Sequence, residues 1–438
     1  MISGCKIFRI MMKNLKSKRE KSVLDINNNS KRPLGRIMSI SIRKWNWHNQ
    51  FYFNGFLLLL MCVFCLSSCD NREWDVPHYG RKELKEACFV ADTIFMDGRR
   101  TSLLGQWLMT PETLCFFDEC MVGVKVYSLS GDFIDEYIQE GRGPGEMISP
   151  SWISDYDSES ETFVIQDINA RLYRFTANFS CIWESRAAWF LTKSSRISDN
   201  HAMRKLYDYP DSEAHEIYEY NLDCHRIVAT QNSVIMPIVS DHIKFNKYYI
   251  TSHSRKYFRT AHTFMRYGTD SLDKAPVLFG NYPPIYKKGT LSMFSDYDFF
   301  QDKDTLFVSF AASPKIYKML LDGTILSSFG YSEKDITSRY PGIRTFQAYE
   351  EKYQVQREKF GYYSRLSCYN GYVFRTCKLD GNSLWKLQVY ERENGNLVYD
   401  LIIPNNIEIL GYADGFYYAV AGEDLEKERF IIIRFKLT

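Results

Sequence analysis

The chain has 438 residues, 45% hydrophobic, 16% aromatic and 25% charged, the proportions of a folded protein rather than a disordered or fibrous one. Its formal charge of +2 conceals an asymmetry: residues 1–68 carry 12 Lys and Arg against Glu20 and Asp25, leaving 43 basic and 51 acidic side chains, a net −8, for the rest. A body of that sign lacks the clustered cations that neutralise phosphates, which argues against a nucleic-acid partner.

Residues 51–66, FYFNGFLLLLMCVFCL, form an uncharged run of 16 residues after Arg43 and Lys44, and Leu66-Ser67-Ser68-Cys69 closes it. A charged segment, an apolar segment and small residues before a cut make a secretory signal. The run is shorter than the ~20 residues that span a bilayer. Leu-Ser-Ser-Cys resembles the lipobox of bacterial lipoproteins, which implies that the Cys69 thiol carries the lipid and becomes the mature N-terminus. The segment ahead of the run is long for a signal, so either Met38 is the start or residues 1–37 are a discarded leader. Residues 1–68 are therefore read as leader and signal, 69–84 as a tether and 85–438 as the folded body. The predicted address is the cell envelope: a lipid-anchored body, periplasmic or surface-exposed.

Beyond Cys69 there are seven cysteines, an odd number without a CxxC metal spacing, and they read mostly as small buried hydrophobes. The 31 Tyr and 30 Phe among short Val- and Ile-bearing runs favour strands. One pattern recurs in the body: an apolar strand, a strand with Tyr or Phe, a turn, then another strand. It is clear in CFFDECMVGVKVYSLSGDFIDEYI, FVIQDINARLYRFTANFSCIW and LFVSFAASPKIYKMLLDGTILSSF. It is read again in HEIYEYNLDCHRIVAT, AHTFMRYGTDSLDKAPVLF and YVFRTCKLDGNSLWKLQVYERENGNLVYDLII. With Gly131, Asn178, Cys224, Gly268, Gly323 and Gly395 as turn markers, the spacings are 47, 46, 44, 55 and 72. Four of them lie near the ~40–50 residues of one propeller blade. The last contains residues 331–365, a charged stretch with partly helical spacing, read as an insertion between blades. The fold class predicted is all-β, a six-bladed β-propeller of four-stranded antiparallel blades. Its ring closes by pairing 429–437 with strands near Ala91–Gln106, which leaves no long exposed edge. Strands at this density also suit a β-sandwich pair.

The segment Gly141-Arg142-Gly143-Pro144-Gly145-Glu146 follows FIDEYIQ and precedes SPSWIS. Its spacing fits neither a P-loop nor a dinucleotide fingerprint, whereas Pro-Gly is a natural type II turn pair, so it reads as the corner between two blades. With the lipobox and the blade period, this G-x-G-P-G-E segment resembles the six-bladed TolB-like propeller lipoproteins of Bacteroidota. That resemblance implies an exported, lipid-anchored propeller, usually without an assigned activity. The long leader and the insertion depart from it.

Loops on the face shared by this corner carry the candidate ligand-binding residues Asp118, Arg142, Glu146, Asp167, Asn169 and Arg171. Charged and amide groups in a ring can hold a glycan or a peptide, but Asp and Asn are also ordinary turn residues. Six histidines fall between His201 and His262 without the short pair spacing that zinc sites use, and no GxSxG elbow occurs. No catalytic residue, metal ligand or cofactor is assigned. The function expected is binding of an extracytoplasmic glycan or protein through the loop face. The alternative is a metal-dependent propeller enzyme of lactonase or polysaccharide lyase type, in which carboxylates such as Asp118 and Asp167 would hold Ca²⁺, although no motif calls for it.

Overall fold

Short apolar runs separated by Gly, Asn and Asp fold as antiparallel meanders, because each can bury a face only against its neighbours. The computed structural model describes residues 78–437, apart from 81–83, 86–88, 142, 144–145, 148–149, 168–170, 187–217, 222–223, 225, 243–244, 248–251, 273–275, 288–290, 338, 343–344 and 382–383. The signal run and Cys69 lie outside the described residues.

After β1 (Ala91–Asp97), the strands β2 (Gly105–Met109), β3 (Thr113–Asp118), β4 (Gly123–Ser128) and β5 (Phe133–Tyr137) pair in order as one antiparallel sheet. A second meander comprises β6 (Pro150–Ser154), β7 (Thr162–Asp167), β8 (Arg171–Thr176) and β9 (Cys181–Arg186). A third comprises β10 (Arg226–Ala229), β11 (Ser233–Val239), β12 (His262–Gly268) and β13 (Val277–Asn281). The second and third are fused: β6 and β10 pair in parallel, Arg226 opposite Ile153, so that with the short strand Glu219–Tyr220 they form one nine-stranded sheet. Separate four-strand meanders follow. One is β14 (Tyr297–Asp302), β15 (Thr305–Phe310), β16 (Ile316–Leu320) and β17 (Ile325–Phe329), with His78–Tyr79 added in parallel to β17. The next is β18 (Tyr362–Tyr369), β19 (Tyr372–Lys378), β20 (Trp385–Glu391) and β21 (Leu397–Ile403). The last, β22 (Glu408–Ala413), β23 (Phe416–Asp424) and β24 (Arg429–Phe435), takes β1 as its fourth strand, from Ala91 opposite Phe435 to Asp97 opposite Arg429. The architecture is a mainly-β propeller of four-stranded antiparallel blades closed by its two chain ends. Gln106, placed among the closing strands by sequence, belongs instead to β2 of the following blade.

The turn between third and fourth strands explains the sequence repeat. At Ser128, Leu320 and Thr176 the same two bonds recur: this N–H donates to a carbonyl four residues on, and its carbonyl accepts an N–H from three residues on. Such a turn ends in a residue with positive φ and a local bulge. Gly131 (φ 94°) and Gly323 (φ 92°) fill that position. In the second meander Phe179 fills it (φ 60°), its ring stacked on Tyr137 at 4.7 Å, so the glycine marker is missing there. Cys224 marks no such turn. It lies ahead of β10, and the even spacing through it is a coincidence of sequence. The blade missed by the marker count is the closing one, whose fourth strand comes from the other end of the chain.

The core lies between neighbouring sheets rather than in one central mass. At the closure, Trp107 and Phe116 of the first meander pack on Phe430 of β24 at 4.9 and 4.5 Å, beside Met96 and Ile432. Four of the six described cysteines, Cys115, Cys224, Cys368 and Cys377, are buried. Burial pushes Cys115 up to about 11 and Cys368 and Cys377 up to about 12, so at neutral pH these three are protonated apolar groups.

Among the described residues, two helices longer than the single turn Pro284–Lys287 interrupt the pattern. α1 (Ser252–Thr260), between β11 and β12, buries Tyr257 and Phe258 against Tyr282 and Tyr286. α2 (Phe346–Lys359) occupies the charged stretch between β17 and β18, with the Thr345 hydroxyl accepting the Ala348 N–H as its N-cap. The segment assigned to the insertion ends early: residues 362–365 are already strand β18.

Phe430 is fully buried at the closing seam. Phe430→Ala is expected to destabilise the fold by about 3–5 kcal/mol, the cost of emptying a large aromatic site. Urea denaturation checks this, and a loss below about 1 kcal/mol would mean that the seam does not carry the ring.

Candidate functional site

The loop residues singled out by sequence serve their own turns. Asp118 is fully buried at the end of β3; its carboxylate accepts the N–H groups of Ser102, Cys120 and Met121 and the Ser102 hydroxyl, at 2.6–2.9 Å. Asp167 holds the same place at the end of β7, also fully buried, accepting the Arg171 N–H at 2.9 Å and facing the Tyr173 hydroxyl at 3.4 Å. A short polar side chain here does what turn-forming aspartates do, satisfying backbone donors that the hairpin leaves over. The Arg171 guanidinium pairs with Glu184 of β9 at 3.2 Å, both about 40% exposed. The 141–146 segment is the corner between β5 and β6. Glu146 turns back into it, accepting the Gly143 N–H at 2.7 Å, and a Cβ on Gly141 would run into its carboxylate. Arg142 and Asn169 lie outside the described residues. None of the four described residues lines the principal cavity.

That cavity, of about 600 Å³, lies where the first strands of the meanders converge. Gln106 and Trp107 enter it from β2, Ser154 and Asp155 from the end of β6, and Arg226 from β10. Asp298 comes from β14, Ser364 and Arg365 from β18, and Glu408 from β22. Helix α2 supplies Tyr353 and Arg357, so the insertion forms part of the wall. The sequence signal for this set is a lone charged residue inside or next to an apolar inner strand, as in RIVA, YDFF, SRLS and IEIL. Such a residue is less conspicuous in sequence than the Asp and Asn of the loops.

Electrostatics organise the wall. The Arg226 guanidinium stands 3.7 Å from Asp155 and 3.5 Å from Glu408, and it donates to the carbonyls of Phe299 and Leu366 at 3.3 and 3.4 Å. Burial opposes its charge, but Asp155 and Asp298 outweigh burial and hold it protonated. Glu408 also faces Arg365 at 3.5 Å and holds that guanidinium charged. Asp298 accepts the N–H groups of Leu366 and Phe299 at 2.8 and 2.9 Å, tying β14 to β18. Burial raises the Asp155 carboxyl above the ordinary range, with Arg226 pulling it back. On the α2 side, Arg357 pairs with Asp296 at 2.9 Å and lies 3.5 Å over the Tyr362 ring.

The histidines do not gather: His242 lies on the short strand Asp241–His242, His253 on α1 and His262 on β12. His201, His215 and His225 lie outside the described residues. Among the described residues there is no group of three or more His, Cys, Asp or Glu side chains placed to hold a metal ion.

Fold and cavity together define a β-propeller whose inner strands enclose a charged, polar pocket. No family model matches the chain, and no curated protein matches it. Among solved structures, a member of the DUF4221 family from Bacteroides vulgatus superposes with a TM-score of 0.55 at 11% identity, covering 80% of this chain and 97% of that one. A candidate exported protein from Bacteroides fragilis is similar with a TM-score of 0.44 at 14% identity, covering 82% and 98%. The first of these likenesses supports the propeller fold, and neither transfers an activity.

Removing Arg226 would leave Asp155 and Glu408 facing each other across the cavity without their shared cation. Arg226→Ala is expected to cost about 3–5 kcal/mol at neutral pH, as breaking a buried ion pair does. In the variant Asp155, whose carboxyl burial already raises, loses the cation that pulls it back, so the folded state binds more protons than the unfolded one as pH falls. The gap from the wild-type protein should therefore narrow between about pH 7 and pH 5, in denaturant titrations at each pH. A gap independent of pH would locate the loss in packing instead.

Proposed function

We propose that the chain is an exported, lipid-anchored, six-bladed propeller of the cell envelope, of the TolB-like kind. It binds an extracytoplasmic glycan or peptide in the central cavity and performs no catalysis. The count of six treats the fused sheet as two blades, since its halves are complete four-strand meanders joined only through β6 and β10. The lipid anchor rests on the Leu-Ser-Ser-Cys segment after an apolar run. The binding reading rests on one observation: every inner strand sends a polar or charged side chain into one cavity of about 600 Å³. Pockets of that size with a few convergent polar groups are where small ligands bind. Arg142 and Asn169, outside the described residues, stay in this reading as candidate loop groups. Asp118 and Asp167, bound up in their turns, leave it. The rival reading, a metal-dependent enzyme, calls for stoichiometric Ca²⁺ or Zn²⁺ in the purified protein.

Two experiments test the proposal. Cys69→Ser should abolish incorporation of labelled palmitate and release the protein from the membrane fraction; label retained by the variant would remove the anchor. For the cavity, a screen of oligosaccharides and peptides by thermal shift identifies a binder. Ser364→Trp, which puts an indole into the cavity, should then abolish binding, while Arg171→Ala at the outer edge leaves it unchanged. The reverse pattern would put the ligand on the loop face.

A further inference from the structure

The cavity charges form a ladder of alternating sign: Asp155, Arg226, Glu408 and Arg365, joined at 3.7, 3.5 and 3.5 Å. These separations exceed the 2.7–2.9 Å or so of a charge-assisted hydrogen bond. The middle rungs are nonetheless occupied, since Arg226 donates to two carbonyls and Glu408 faces two guanidinium groups. The two ends differ from the middle. Among the described residues the Asp155 carboxylate accepts no hydrogen bond, and its one ion-pair partner is Arg226. The Arg365 guanidinium, with five N–H donors, likewise makes no side-chain hydrogen bond and meets Glu408 alone; its side chain is 43% exposed. One wall thus presents an anion lacking donors and a cation lacking acceptors, both toward the same space.

From this geometry we infer that the cavity takes a zwitterionic ligand, a free amino acid or short peptide, with its ammonium group on Asp155 and its carboxylate on Arg365. The inference deepens the binding reading above and rests on it. A guanidinium fork suits a carboxylate, and an ammonium supplies the three donors that Asp155 lacks. The cavity volume of about 600 Å³ accommodates such a ligand. A neutral glycan would cover both ends without bringing a charge to either, leaving Asp155 with Arg226 and Arg365 with Glu408 at separations too long for a hydrogen bond, in a less hydrated space. A purely anionic or purely cationic ligand would satisfy one end and bring like charge toward the other.

Titration calorimetry on the mature full chain tests this with free amino acids, dipeptides and tripeptides, their N-acetylated and C-amidated forms, and neutral oligosaccharides. At least one free amino acid or peptide should bind at one per chain. N-acetylation and C-amidation should each weaken it by ~10–100-fold, the loss expected for a hydrogen bond to a charged group. Asp155→Asn should erase the difference between free and acetylated ligand, and Arg365→Gln that between free and amidated ligand. Each variant removes one ion pair, but Arg226 keeps Glu408 and two carbonyls and Glu408 keeps Arg226, so both variants should retain the wild-type circular dichroism and fold with a modest drop in melting temperature. Blocked and free forms binding alike, or no amino acid or peptide binding at all, would overturn the zwitterion inference. A neutral oligosaccharide that binds and is displaced by Ser364→Trp would overturn it while leaving the cavity reading intact. A ligand whose affinity none of the three cavity variants alters would overturn both.

Discussion

Arg226 is the point on which the interior turns. One guanidinium reaches Asp155 at the end of β6, the carbonyl of Phe299 in β14, the carbonyl of Leu366 in β18 and Glu408 at the start of β22. A propeller brings its inner strands together around an axis, where there is too little room for bulky apolar side chains from every blade and too little water to solvate isolated charges. Polar groups placed there must neutralise one another, and an arginine with five donors in a fixed plane can serve several strands at once. The parallel pairing of β6 with β10 fits the same constraint. It draws the start of β10, and with it Arg226, alongside Ile153 and into reach of Asp155.

The fold was legible where local chemistry repeats. Turns with glycine at positive φ, such as those at Gly131 and Gly323, need a residue type that few others replace, so they leave a mark in the sequence. Where packing substitutes for that requirement the mark fades, as at Phe179, whose strained backbone is held by rings around it. Closure by β1 could be anticipated from an unmatched apolar strand at the C-terminus. Its exact partner could not, because β1 and β2 are both plausible strands and only the three-dimensional seam with Phe430 assigns them to different blades.

The site was less legible, and the reason is physical. Aspartates in loops are conspicuous, yet Asp118 and Asp167 are drawn into their own hairpins because backbone N–H groups in a buried turn need acceptors more than a ligand does. Charged residues within strands are less conspicuous, since one Arg or Glu in an apolar run looks like an edge position facing solvent. Arg365 shows this most sharply. Read as part of a charged insertion, it is the fourth residue of an inner strand.

The insertion itself separates two demands that a propeller normally places on the same residues. Inner strands must keep blade register, so their side chains cannot change freely without disturbing pairings such as that of Leu366 with Arg375. Helix α2 hangs between β17 and β18 and is anchored by a few contacts: Arg357 to Asp296 and over Tyr362, and the Lys378 ammonium to the Glu358 carbonyl. Its remaining cavity-facing group, Tyr353, touches Asp296 across 3.4 Å. A wall built this way leaves the charge ladder of the strands fixed while the helix adds Tyr353 and Arg357 to the lining. On the proposed binding reading, the strands would set the sign of charge a ligand presents and the helix would contribute to the limit on its size.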